Sequence, residues 1–189
     1  MARLLGITRF WNYISDWIEC RVHLRPEKDN TIDLGSRDYR WRTIYTGTAI
    51  GARVYNDAAF SHDSSGNWLA ITFNSERFDT DGMHSTSTNT SRLTIVTQGL
   101  YAFWGTAGFA ASATGYRQLG IRVDGSTFIA VNGVPNNGSG AGVLLSVAGA
   151  YYLNAGQYVE LCAWQNSGGT LSIASGAAYT PEFTAARMA

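Results

Sequence analysis

The run RLTIVTQGLYAFWGTAGF at residues 92–109 is answered by YYLNAGQYVELCAWQNSGGTLSI at residues 151–173. Each block reads as strand, turn and strand, and two such blocks predict an all-β sandwich. In the first, Leu93 and Ile95 precede a Thr97-Gln98-Gly99 turn. The strand beyond it sets Tyr101, Phe103 and Phe109 on one face and Leu100, Ala102 and Trp104 on the other. Both faces are apolar, so both are predicted to be buried. A sandwich covers only one of them, and the second stays wet unless another copy of the chain lies against it. Oligomerisation is therefore expected from the residues alone.

Working outward, NWLAITF at 67–73 is predicted as the first strand of the β domain, with a polar loop over 74–91. Around residues 118–123, Leu119, Ile121 and Val123 alternate inward against Gln118, Gly120 and Arg122 outward. Asp124-Gly125 is a hairpin signal leading to a strand at 127–131. Asn132-Gly133 reads as a second turn, opening a Gly-rich loop over 132–142. Further strands are predicted at 143–147, 158–165 and 170–174. About eight short strands with regularly spaced turns fit a jelly roll better than an α/β arrangement.

Composition agrees with this reading. Among 189 residues, 13% are aromatic and only 15% charged, with 21 Gly against 3 Pro, a balance that favours a compact β protein over disorder. Lys plus Arg equals Asp plus Glu at 14 each, so no net field is available to hold nucleic acid or an anionic membrane. Cys20 and Cys162 fall in separate segments and are expected to be free thiols.

Near the N-terminus, Leu4, Ile7, Trp11, Ile14 and Ile18 recur at spacings of 3, 4, 3 and 4, the seam of a short helical bundle. Arg9, Asp16 and Glu19 interrupt the apolar residues, so neither a signal peptide nor a membrane span is expected. A helix this short needs outside support. Residues 1–23 are accordingly assigned as an amphipathic anchor, with packing on the helix's own domain as the plainer alternative.

Pro26 ends the helical pattern, and 24–57 is assigned as a collar or linker. Within it, Asp33, Leu34, Gly35, Tyr39, Arg40, Trp41, Arg42, Ile44 and Tyr45 form a DLG...YRWR.IY element. This element resembles one that recurs in the tail fibres and appendage proteins of bacteriophages, where it forms intertwined trimeric collars. Trp41, Ile44 and Tyr45 could fill a trimer axis. Arg37, Arg40 and Arg42, alternating with Tyr39 and Trp41, would also suit a single-stranded nucleic acid. Asp29, Asp33 and Asp38 neutralise that patch, and no nucleic-acid partner is expected.

The order of the later blocks is similar to the globular head of the complement and tumour-necrosis-factor superfamily, particularly its phage versions. Gly99, Leu100 and Tyr101 match the turn and strand that open its central strand, and Leu153, Ala155, Gly156, Val159 and Leu161 match its late L.AGD.V.L strand. Gln157 stands where an acidic residue is usual, which weakens any carry-over of charge or metal contacts. Those heads are homotrimers that bind other macromolecules and do no chemistry, so the resemblance implies a homotrimeric recognition or structural module over 58–189.

No catalytic constellation stands out. His23, His62 and His84 are scattered without metal-ligand spacing. A calcium loop starting at Asp79 would need an oxygen ligand, Gly and Glu at positions where Met83, His84 and Thr90 stand. Glu76, Asp79 and Asp81 could flank a glycosidic bond, but the repetitive β-helix usual in depolymerising tail spikes is not seen. The expectation is a non-enzymatic bacteriophage virion protein without cofactor or metal. It would be a short tail fibre or spike, anchored through its N-terminal helix to a tail, baseplate or capsid protein. A host-surface glycan or protein is the expected ligand class, met through the Ser-, Asn- and Gly-rich loops at 85–91 and 135–140. The alternative is a capsid decoration protein or head fibre with a purely structural role. Leu4, Ile7, Trp11, Ile14, Ile18, Trp41, Ile44, Tyr45, Tyr101 and Phe103 are the residues assigned to the anchor and the trimer.

Overall fold

Alternating apolar residues and turn glycines from Gly51 onward give strands throughout the computed structural model, which describes residues 47, 49–63, 66–135, 142–174 and 180–188. Among the described residues, twelve strands form two antiparallel sheets: β1 (Gly51–Tyr55), β2 (Phe60–His62), β3 (Leu69–Ala70), β4 (Ser75–Asp79), β5 (Arg92–Thr94), β6 (Gly99–Phe109), β7 (Tyr116–Val123), β8 (Thr127–Pro135), β9 (Val143–Leu153), β10 (Tyr158–Gln165), β11 (Leu171–Ala174) and β12 (Glu182–Arg187). The fold class is all-β, a jelly-roll sandwich. Of the expected elements, the helix at 1–23 and most of the collar, including Leu4, Ile7, Trp11, Ile14, Ile18, Trp41, Ile44 and Tyr45, lie outside the described residues.

The first sheet is organised around β6. One edge of β6 pairs with β9 along its full length, from Gly99↔Leu153 to Phe109↔Val143. The other edge is shared, by β12 over residues 101–106 and by β11 over 108–109. β12 continues to β1 and β4, and β11 to β2. In the second sheet β10 lies between β7 on one side and the short strands β3 and β5 on the other, and β8 pairs with the far edge of β7.

The core lies between the sheets. Phe73, Phe103 and Phe183 are fully buried, and Phe183 stacks on both of the others with centroids 6.3 Å apart. Leu119, Ile121, Val159 and Leu161 face them from the second sheet, all at 0% exposure. Gly105 makes this approach possible, because a Cβ there would meet the Leu161 Cδ1 at 2.3 Å.

Several sequence expectations need correction. The sandwich begins inside the segment assigned to the collar, since β1 pairs with both β12 and β4. Residues 67–73 do not form the first strand: only Leu69 and Ala70 are laddered, while Ile71 and Phe73 bury their side chains and send single N–H bonds to Leu161 and Thr90. The polar stretch 74–91 contains β4, a mostly exposed strand beside β1. Asn132-Gly133 makes no turn, because β8 runs through it to Pro135. Gly133 is instead a site of close strand approach, where a Cβ would lie 2.7 Å from the Gln118 Cγ and 3.0 Å from the Arg117 carbonyl oxygen.

The hairpin at Asp124-Gly125 forms as expected. Both residues have positive φ, 47° and 70°, and the Ser126 N–H donates to the Val123 carbonyl at 3.0 Å, as a two-residue primed turn requires. Asp124 then ties this turn to the next one, accepting from the Gln157 Nε2 at 2.7 Å and the Tyr158 N–H at 3.0 Å. Gln157, at the position where an acid is usual in the resembling family, is thus a donor to a neighbouring carboxylate.

Candidate functional site

Side-chain alternation along β6 decides which of its two apolar faces is available. Tyr101 and Phe103, assigned from sequence to the trimer interface, are both at 0% exposure within the single chain. That assignment is corrected: they point into the sandwich, and the Tyr101 hydroxyl is satisfied by the Thr97 carbonyl at 2.5 Å. The opposite parity, Leu100 and Trp104, faces outward at 37% and 50% exposure.

Register extends this outward face across neighbouring strands, because directly paired residues share a side. Leu100 pairs with Tyr152, Ala102 with Ala150 and Trp104 with Ala148 on β9. On the other edge, Ala102 pairs with Ala186 and Trp104 with Thr184, and Thr184 pairs in turn with Arg53, which faces Phe78. The product is a field of small alanines bordered by Leu100, Trp104, Phe78 and Tyr152, the last two at 46% and 56% exposure. Such a largely apolar surface spanning five strands is what close packing against another protein surface demands.

A charged cluster stands beside Trp104. The Nε and Nη2 of Arg77 reach Glu182 Oε1 at 2.8 and 2.5 Å, while Arg53 binds Oε2 through both Nε, at 2.8 Å, and Nη2. Burial alone would raise the Glu182 carboxyl, but hydrogen bonds from Arg77 and Arg53 outweigh it and hold the carboxyl below its ordinary value. With Trp104, Phe78, Thr106 and Thr184, Arg53 and Glu182 line a depression of about 430 Å³. Two guanidinium groups share one carboxylate, so the cluster carries one surplus positive charge on an otherwise apolar face.

Glu76, Asp79, Asp81 and His84, weighed above for chemistry, all make structural contacts. Asp79 accepts from the backbone N–H of Asp81 at 3.1 Å and of His84 at 2.8 Å, and Asp81 accepts from the Thr97 N–H at 3.1 Å. His84 meets Glu76 through Nδ1 at 2.9 Å and the Thr90 carbonyl through Nε2 at 3.2 Å, so both ring nitrogens are engaged. Among the described residues, no group of three or more His, Cys, Asp or Glu is placed to hold a metal ion. Cys162 is a free thiol, and burial pushes its pKa up to about 12, which keeps it protonated at neutral pH. The loop at 85–91 is braced from within: Ser85 Oγ accepts the N–H of Ser87 at 3.3 Å and of Thr88 at 3.2 Å, and Asn89 has φ 51°. Of the loop at 135–140, only Pro135 is among the described residues. No helix among the described residues is long and apolar enough to cross a membrane.

No family model matches the chain, and no curated protein matches it. Similar solved structures include the globular domain of zebrafish complement 1qA protein, at 13% identity over 74% of this chain and 98% of that one, with a TM-score of 0.50. Murine APRIL at pH 5.0 is 11% identical over 74% of this chain and 99% of its own, with a TM-score of 0.52. Eiger TNF from S. frugiperda is 9% identical over 75% and 93%, with a TM-score of 0.51. At these identities the likeness is one of fold: residues from β1 to β12 adopt the jelly-roll sandwich of complement and tumour-necrosis-factor globular domains.

Proposed function

We propose that this chain is a bacteriophage virion protein, a short tail fibre or spike whose homotrimeric jelly-roll head binds a host-surface ligand and performs no catalysis. The observation that carries the trimer is the outward face of β6, β9 and β12. Leu100, Trp104 and Tyr152 lie there at 37%, 50% and 56% exposure around Ala102, Ala148, Ala150 and Ala186. A second copy is the occupant that best fits, because the covering surface must be available wherever the chain is made. The shared fold supports the same reading, since the sequence resembles heads that are homotrimers. The phage assignment rests on the DLG...YRWR.IY element at 33–45. In this reading residues 1–23 attach the trimer to another virion protein, and the protein resides on the particle surface.

Two measurements test the proposal. Sedimentation equilibrium of the full chain at micromolar concentration should return a trimer, and a stable monomer there would remove its structural basis. Labelled trimers should then bind host cells. Trimers that ignore host cells but rebind capsids stripped of this protein would favour the decoration role instead.

A further inference from the structure

Alternation along β7 puts Arg117, Leu119, Ile121 and Val123 on its inner face. The last three belong to the hydrophobic core. Arg117 is the exception, a guanidinium at 0% exposure where β7 begins. Its Nη1 is satisfied, donating to the carbonyls of Thr114 at 2.9 Å and Tyr116 at 3.1 Å. Its Nε and Nη2 are buried without a hydrogen-bond partner.

The polar groups nearest in the ladder are engaged elsewhere. Gln165, paired with Arg117 and equally buried, sends its amide N–H groups to the carbonyls of His62 at 3.0 Å and Gly169 at 2.9 Å, and its Oε1 accepts the Ser167 N–H at 2.8 Å. Thr114 Oγ1 donates to the Ser167 carbonyl at 2.6 Å, and Asn166 Oδ1 accepts the Tyr116 N–H at 2.6 Å. These bonds fix the loop whose carbonyls hold Nη1. Glu182 pairs with Arg53 and Arg77, and Glu160 with Arg92 and Arg122, whereas no carboxylate among the described residues pairs with Arg117. The stretches outside the described residues between Gly51 and Met188, at 64–65, 136–141 and 175–179, read SS, NNGSGA and SGAAY and contain no Asp or Glu. Burial lowers the Arg117 pKa from its ordinary value, with no acidic neighbour to raise it.

We infer that the Nε–Nη2 edge of Arg117 binds a small monovalent anion, a halide such as chloride, inside the sandwich. A charge taken out of water without a partner is heavily penalised, and a guanidinium does not shed its proton to escape the penalty. Water would complete the hydrogen bonds and leave the charge unopposed, so the partner this group calls for is anionic. The same edge shows its geometry elsewhere in the molecule. Arg53 and Arg77 each direct both Nε and Nη2 at one oxygen of Glu182, so two N–H groups converge on a single atom. Charge and enclosure select the ion: one negative charge balances one guanidinium, a divalent oxyanion would leave a net buried charge, and a group out of contact with solvent favours the smallest anion. The site belongs to the single chain and requires neither the trimer nor a host ligand.

The test is thermal unfolding of the full-length protein at constant ionic strength, with sodium chloride or bromide exchanged stepwise for sodium gluconate. The unaltered chain should melt roughly 5–10 °C higher in halide, the rise expected at about a 100-fold excess over the dissociation constant. General salt effects act on every variant alike, and Arg117→Met measures them: it keeps an unbranched side chain, carries no charge and should lose the halide-dependent rise. Arg117→Lys keeps the charge without the two-pronged edge and should show a smaller rise. An unaltered chain indifferent to halide, or an Arg117→Met chain with the same rise, overturns the site. Crystals of the unaltered protein grown in sodium bromide give a reading independent of how the variants fold. An anomalous peak should stand against Arg117 Nε and Nη2, and a map with water there and no peak overturns the site as well.

Discussion

In the proposed homotrimer, truncating Trp104 to Ala should separate assembly from folding. The indole is 50% exposed in the single chain. A Trp presents up to about 250 Å², so covering its free half would remove roughly 120 Å² from water, worth about 2–3 kcal/mol at ~25 cal/mol per Å². A closed trimer contains this contact three times, for a total loss of about 6–9 kcal/mol, or about four to six decades in the trimer dissociation constant. The midpoint concentration varies as the square root of that constant, so it should rise about 100- to 1,000-fold. Sedimentation velocity from nanomolar to high micromolar protein reads this shift directly. The far-UV spectrum should not change, because the indole packs no core and exposed substitutions typically alter stability by less than ~0.5 kcal/mol. A midpoint for Trp104→Ala within about threefold of the unaltered chain would refute the reasoning, since a covered Trp cannot be removed at so small a cost.

Removing residues 1–23 should leave a folded, trimeric head that no longer enters particles, and normal incorporation measured on purified virions would end the anchor assignment. Gly120→Val should destabilise the sandwich by about 1–3 kcal/mol in urea titration. A Cβ at that position already meets the Phe128 ring at 2.8 Å and the Trp68 ring at 3.2 Å, so an unchanged urea midpoint would contradict this packing. His62 should make stability fall on acidification: burial sets its folded-state pKa below the ordinary 6.5, so the unfolded chain takes up the proton first. Its contribution is therefore whole above 6.5 and is lost as pH falls through the lower, folded-state value. His62→Gln should flatten that part of the stability profile, measured by urea unfolding at several pH values.

What the sequence made legible follows from how strongly each feature is encoded locally. The Asp124-Gly125 hairpin was readable because a primed turn needs positive φ at both positions, and that pair is among the few that tolerate it. Strand β10 was readable because Val159, Leu161 and Ala163 alternate with polar or larger residues over a full strand length. Strand β12, PEFTAAR at 181–187, was missed: Pro181, Glu182 and its two alanines carry little strand propensity, and it is a strand because β6 and β1 pair with both its edges. Asn132-Gly133 misled for the opposite reason, a strong local turn signal overridden by eight paired positions between β7 and β8.

The candidate interface shows the deepest limit of local reading. Residues 100–104 are apolar on both faces, so alternation alone predicts two buried faces without saying which belongs to the chain's own core. The decision comes from partners distant in sequence. Phe183 on β12 and Phe73 after β3 stack on Phe103 or on each other, and this aromatic column draws the Tyr101 and Phe103 parity inward. The same pairing brings Ala148, Ala150 and Ala186 up beside Leu100, Ala102 and Trp104 on the other side. Alanines at three separate places in the chain carry no signal individually, yet together they make a surface low enough for another backbone to approach. The aromatic residues of β6 that looked most like an interface are the ones a single chain needs for itself. The candidate interface is made of the residues that remain when that need is met.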